Sequence, residues 1–195
     1  VVSGNVVGTG ITPVARRIKD DDATNDRATR AEELWESWAE TAADIEGAHT
    51  YAGLESVTAR GWVEAGEAFI RRRIDPSLIA IGQVPLRVEV LEADLLDETK
   101  NERTTGNGRI VQGVEFDGVG RRVAYWFHAE HPGEGHPFGV GRSPSVRVPA
   151  EDVIHLFLPL RPRQVRGLPF LAPILAMKAD LETFERFELA RKQTE

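Results

Sequence analysis

Residues 148–175 read VPAEDVIHLFLPLRPRQVRGLPFLAPIL, and the fold turns on how this stretch divides. Residues 153–157 (VIHLF) form a short apolar run that starts β-branched, as a buried strand does. Residues 158–167 hold two prolines, three arginines and a glutamine, and cannot continue either a strand or a helix. Pro169 and Pro173 then introduce a long helical pattern, because the first turn of a helix tolerates a residue without an N–H. The chain before this stretch reads as one compact mixed domain. The chain after it reads as a single helix.

Working outward, 195 residues are enough for one domain with a real core. With no cysteine, disulfide staples, thiol catalysis and zinc–thiolate sites are excluded. No apolar run reaches the roughly 20 residues that cross a bilayer, and no signal peptide is visible. A net charge of −7 argues against tight binding to a phosphate backbone, which needs clustered Lys and Arg. The sequence opens on Val1 and reaches Glu195 inside a helical pattern, so a piece of something longer is expected.

Residues 1–13 combine β-branched side chains with Gly4, Gly8 and Gly10 and suggest an extended arm or edge strand. Residues 26–43 follow a helical period, with Thr24 or Asn25 as cap, and place Leu34, Trp35, Trp38 and Ala42 on one stripe. The two tryptophans read as core packing in preference to a ligand platform. A second helix is expected over 51–65 with Thr50 as its cap. Residues 68–74 (AFIRRRI) and 86–91 (LRVEVL) read as paired strands, with Arg71, Arg72 and Arg73 along a solvated strand edge. Residues 97–108 (DETKNERTTGNG) look like a mobile loop. Residues 109–116 and 121–127 flank Asp117-Gly118-Val119-Gly120, a hairpin signal. A Gly-, Pro- and His-rich loop then leads to strands over 146–148 and 153–157.

Two helices, about six short strands and a third helix predict an α+β fold. In it, two N-terminal helices precede a small curved antiparallel sheet or SH3-like partial barrel, and a long C-terminal helix follows. Candidate chemistry is sparse. His128, Glu130, His131 and His136 are good ligand types for zinc or nickel, but their spacing matches no established motif, and a solvated loop is the plainer reading. The glycines at 106, 108, 118 and 120 lack phosphate-loop spacing and read as turns. No nucleophile elbow or paired-carboxylate pattern supports an enzyme. The irregular linker is harder to dismiss, since Arg161, Arg163 and Arg166 with Gln164 and Gly167 make candidate subunit contacts. The final helix carries Ile174, Met177, Leu181 and Phe184 on one stripe, which an assembly could bury.

The order of motifs resembles the lambda family of phage portal proteins. The resemblance rests on NVVGTGI at 5–11, Trp35 and Trp38 followed by Asp44 and Gly47, and Gly66-Glu67-Ala68-Phe69. It continues with VEVLEADLL at 88–96, GVEFDGVGRRVAYW at 113–126, PAEDVIHLF at 149–157 and RPRQVRGLP at 161–169. Ala65 departs from the family, where an aspartate commonly precedes the Gly-Glu pair. The resemblance implies a structural, non-enzymatic subunit without cofactors, in a usually twelve-fold ring at one capsid vertex of the virion. Double-stranded DNA passes through such rings in weak, sequence-independent contact, and terminase, capsid and head–tail joining proteins dock on them. It also implies three parts: residues 1–48 as an N-terminal arm and Trp-bearing helix, 49–166 as the wing with its β-domain, and 167–195 as the start of a stem helix. Two other classes stay open on the residues alone. One is a metal-dependent hydrolytic domain using the His128, Glu130, His131 and His136 loop. The other is a stand-alone ligand-binding β-domain.

Overall fold

The structure, a computed structural model, describes residues 2–15, 22–133 and 144–194. Among them are helices α1 (Val2–Val7), α2 (Asp22–Thr41) and α3 (Tyr51–Ala65), and later α4 (Ala172–Thr194). Between α3 and α4 lie β1 (Glu67–Ile74), β2 (Leu86–Leu91), β3 (Glu102–Arg103), β4 (Arg109–Val111), β5 (Val114–Phe116), β6 (Arg122–Phe127), β7 (Val146–Pro149) and β8 (Val153–Phe157). The α+β class holds, with two antiparallel sheets and no closed barrel. One sheet has the order β2-β1-β8 and the other β3-β4-β5-β6-β7.

The opening residues are not an extended arm. They form the short helix α1, which ends where the Gly8 N–H donates to the Gly4 carbonyl at 3.1 Å. The backbone then turns toward α3, and the Ile11 N–H reaches the Glu55 carboxylate at 3.1 Å. Thr24 and Asn25 lie inside α2 rather than capping it. Trp38 is buried, and its indole N–H donates to the Leu86 carbonyl at 2.6 Å. Trp35 and Tyr51 pack against its ring with centroids 5.2 and 5.5 Å away. The stripe is core. The turn after α2 is built on Asp44, whose buried carboxylate accepts the N–H groups of Glu46, Ala48 and His49. Burial pushes this carboxyl up, but those backbone donors outweigh it and hold it below its ordinary value.

Helix α3 begins and ends where its sequence says. The Thr50 hydroxyl accepts the Gly53 N–H at 3.3 Å, and Gly66 closes the helix at φ +81°. Strand β1 is central in its sheet, so Arg71, Arg72 and Arg73 do not line a sheet edge. Arg71 and Arg73 reach Glu89 on β2 at 3.5 and 3.7 Å, and Arg72 pairs with Asp152 at 2.7 Å. The two faces of this sheet are put to different uses. Ala68 and Ile70 lie on the face toward α3. Phe69 lies on the other face, which meets the second sheet.

The expected strand over 109–116 is split. Gln112 and Gly113 take φ of +50° and +78°, so the chain folds into the tight hairpin β4–β5 before continuing to β6. Glycine is required at 113, where a Cβ would lie 2.7 Å from the Asp97 carbonyl oxygen. Residues 97–108 are anchored where a mobile loop was expected. Asp97 is buried and accepts from Thr99 Oγ1 at 2.6 Å and Ser145 Oγ at 2.7 Å, while β3 pairs with β4. The hairpin at 117–120 forms as expected between β5 and β6. A core of Phe69, Leu91, Leu96, Val114, Phe116, Tyr125, Phe127, Val148 and Val153 fills the space between the sheets. A second core, centred on Trp38, Ala43 and Leu54, joins α2 and α3 to the outer face of the first sheet.

Candidate functional site at the sheet-to-helix joint

The linker 158–167 leaves β8 and must deliver α4 to the surface. Its course is fixed from within by Gln164, which is buried although polar. The Gln164 side-chain Oε1 accepts the N–H groups of Leu160 at 2.8 Å and Arg161 at 3.3 Å. Its amide donates to the Arg166 carbonyl at 2.8 Å. One side chain thus satisfies the backbone of an irregular loop that has no ladder of its own. Arg122 on β6 adds a tie from outside, donating to the Gln164 carbonyl at 2.9 Å and the Val165 carbonyl at 3.3 Å.

Below the linker lies Glu67, the first residue of β1, with a side chain only 2% exposed. Its Oε1 accepts from Arg166 at 2.5 Å. Its Oε2 accepts the Gly167 N–H at 2.7 Å and faces His155 Nε2 at 3.0 Å. The carboxylate therefore ties β1, β8 and the end of the linker together. Burial pushes it up, but the His155 hydrogen bond, the Arg166 charge and the Gly167 N–H prevail and hold it below its ordinary value. Burial pushes His155 down, against the pull of Glu67. The imidazole is accordingly neutral and donates its Nε2–H, so its contact with Glu67 is a hydrogen bond and not an ion pair. The ion pair is Arg166 with Glu67.

The backbones also interlock. A Cβ on Gly66 would lie 2.1 Å from the Leu168 carbonyl carbon, and one on Gly167 would lie 2.1 Å from the Gly66 oxygen. No side chain fits between these two segments, so both positions require glycine. Phe170 then packs edge-on against Trp62 of α3, with centroids 5.1 Å apart. From there α4 runs 23 residues, about 35 Å at 1.5 Å per residue. Its apolar side chains stay bare. Ile174, Met177, Leu181, Phe184 and Phe187 are 56–72% exposed.

The structure divides the five linker candidates. Gln164, Arg166 and Gly167 are spent on contacts within the chain. Arg161 and Arg163 are exposed and make no ion pair among the described residues, and Arg163 takes φ +59°. Sequence reasoning missed Glu67 and His155. Their signals were an acidic residue just after the Gly66 that ends α3 and a lone histidine in the apolar run of β8. Of the proposed metal ligands, His136 lies outside the described residues. His128 sits 3.7 Å from Asp97 and His131 3.4 Å from Glu92. No group of three or more metal-ligating side chains occurs among the described residues. No described helix is long and apolar enough to cross a membrane.

The family model for lambda-family phage portal proteins matches residues 1–195. Over 167 residues the chain is 28% identical to the "Probable portal protein" of Halomonas phage phiHAP-1, which covers 84% of this chain and 31% of that protein. The chain spans about a third of the length of this curated relative.

Proposed function

The chain belongs to the lambda family of phage portal proteins, and we propose that it is the wing and first stem segment of a ring-forming structural subunit. Copies of the full subunit, about twelve of them, surround a channel at one capsid vertex of the virion. Double-stranded DNA is packaged and ejected through that channel. Terminase, capsid and head–tail joining proteins dock on the ring, and its role is geometric and not catalytic. Residues 1–48 and 49–166 make the arm and wing, and 167–195 enter the stem.

One observation carries this reading. A helix with a full apolar stripe leaves a rigid joint, and nothing among the described residues covers that stripe. Exposed apolar surface of this extent is characteristic of interfaces. The joint supports the reading too, because a helix that must pack against neighbours needs a fixed launch angle. The buried Glu67 clasp and the Gly66–Gly167 contact supply one. An acidic chain also suits a conduit, since each added phosphate contact would hold the sliding duplex. The test is the mass and shape of the full-length protein by light scattering and negative-stain microscopy. Closed rings are expected. A strictly monomeric product would overturn the proposal.

A further inference from the structure

A cavity of about 330 Å³ opens between the Gly118–Gly120 turn and the linker, lined by Arg109, Phe116, Arg122 and Arg163. Three arginines line it, yet none has a carboxylate partner among the described residues. Arg109 and Arg122 instead lie against the Phe116 ring, 5.4 and 5.6 Å from its centroid. Arg122 also lies 5.2 Å from the Phe157 centroid, and its Nε is buried without a hydrogen-bond acceptor. Its charge adds a smaller push to the burial that holds His155 down. Arg163 is held at φ +59°, a left-handed conformation that a non-glycine residue adopts at a cost. Arg122 meets the linker carbonyls through one nitrogen, but its unmet Nε and the two neighbouring like charges leave room for an anion.

From this arrangement we infer that the cavity is a carboxylate receptor, filled by an acidic side chain of a neighbouring copy. Guanidinium forks suit a carboxylate bidentately, and the concavity has room for a side-chain head. A duplex needs a continuous basic surface, which a single recess in a chain of net charge −7 does not offer. An identical copy does offer the anion, with 31 acidic residues against 24 basic ones. The inference rests on the ring assembly proposed above and names the chemistry of one contact within it.

The test uses the full-length protein carrying Arg163→Lys, prepared as a mixture of ¹⁴N and ¹⁵N copies and treated with a zero-length carbodiimide. The new amine can couple only to a carboxylate that it touches. Mass spectrometry should find position 163 joined to an Asp or Glu peptide in mixed-isotope pairs, absent from the unsubstituted protein. In parallel, Arg109→Glu/Arg163→Glu should reduce the ring fraction at least tenfold while circular dichroism stays unchanged. Rings of Arg163→Lys without the cross-link, or with it confined to one copy, would overturn the receptor and leave the ring reading standing. Absence of rings in the unsubstituted protein would overturn both. Loss of duplex affinity in a fluorescence titration, with ring formation intact, would reassign the cavity to phosphate and refute the carboxylate.

Discussion

Replacing Arg166 with methionine tests the joint most sharply. Arg166 keeps 19% of its side chain exposed, whereas Glu67 keeps 2%. Removing the cation therefore strands the less solvated partner. Breaking one side of a buried pair costs about 3–5 kcal/mol, because the remaining charge is buried and uncompensated. His155 and the Gly167 N–H still serve Oε2, which argues for the lower end, about 3 kcal/mol. For a domain of this size that lowers the melting temperature by roughly 6–12 °C. Arg163→Met, an exposed change without a lost partner, should stay within about 0.5 kcal/mol. The distinctive expectation is the double variant Glu67→Gln/Arg166→Met. With the stranded charge gone, it should be more stable than Arg166→Met alone, by about 1–2 kcal/mol. Urea denaturation of the chain followed by tryptophan fluorescence reads all four proteins. The reasoning is refuted if Arg166→Met loses under 1 kcal/mol, or if the second substitution lowers stability further.

Gly66→Ala should cost more than about 3 kcal/mol in the same assay, since backbone crowding at 2.1 Å adds to the strain of φ +81°; a cost near 1 kcal/mol would mean the segments separate easily. Trp38→Phe removes the donor to Leu86 and should cost about 1–3 kcal/mol, read from the shift in urea midpoint. Glu67 and His155 both titrate below their ordinary values, so the unfolded chain takes up more protons as pH falls. The stability they give is complete above about pH 6.5 and declines as pH drops through the lower, folded values. Urea midpoints should fall from pH 7 to pH 5, less steeply for His155→Gln; an unchanged slope would remove His155 from the account. Phe184→Glu/Phe187→Glu should leave the melting temperature of this chain unchanged while abolishing assembly of the full-length protein, measured by light scattering.

Local features of the fold were legible where residues act on their neighbours. Thr50 and Gly66 bracket α3 because a cap hydroxyl and a left-handed stop work within one turn. Asp117 to Gly120 announced its hairpin for the same reason. The proline-rich linker could be nothing but irregular. What the sequence hid depends on distance. Glu67 and Arg166 meet across 99 positions, and no local pattern shows that a carboxylate opening β1 has its cation at the end of the linker. The same blindness made Arg166 and Gln164 candidate subunit contacts, when both are engaged within the chain. Residues 97–108 looked mobile by composition, yet Asp97 is pinned by Ser145, 48 positions away. At the N-terminus, β-branched valines favoured a strand, and docking against α3 overrode that propensity. The bare stripe of α4 was plain from its period. That nothing among the described residues covers it emerged only from the assembled fold.

The central claim is that α4 leaves a rigid joint with its apolar face reserved for other copies. Hydrogen–deuterium exchange over residues 172–194 measures this directly, comparing the isolated chain with the full-length protein. An uncovered helix opens at little cost, whereas a packed one is protected. The account predicts rapid exchange in the isolated chain, slow exchange in the full-length assembly, and strong protection of β1 and β8 in both. Equal protection of α4 in the two proteins would contradict it.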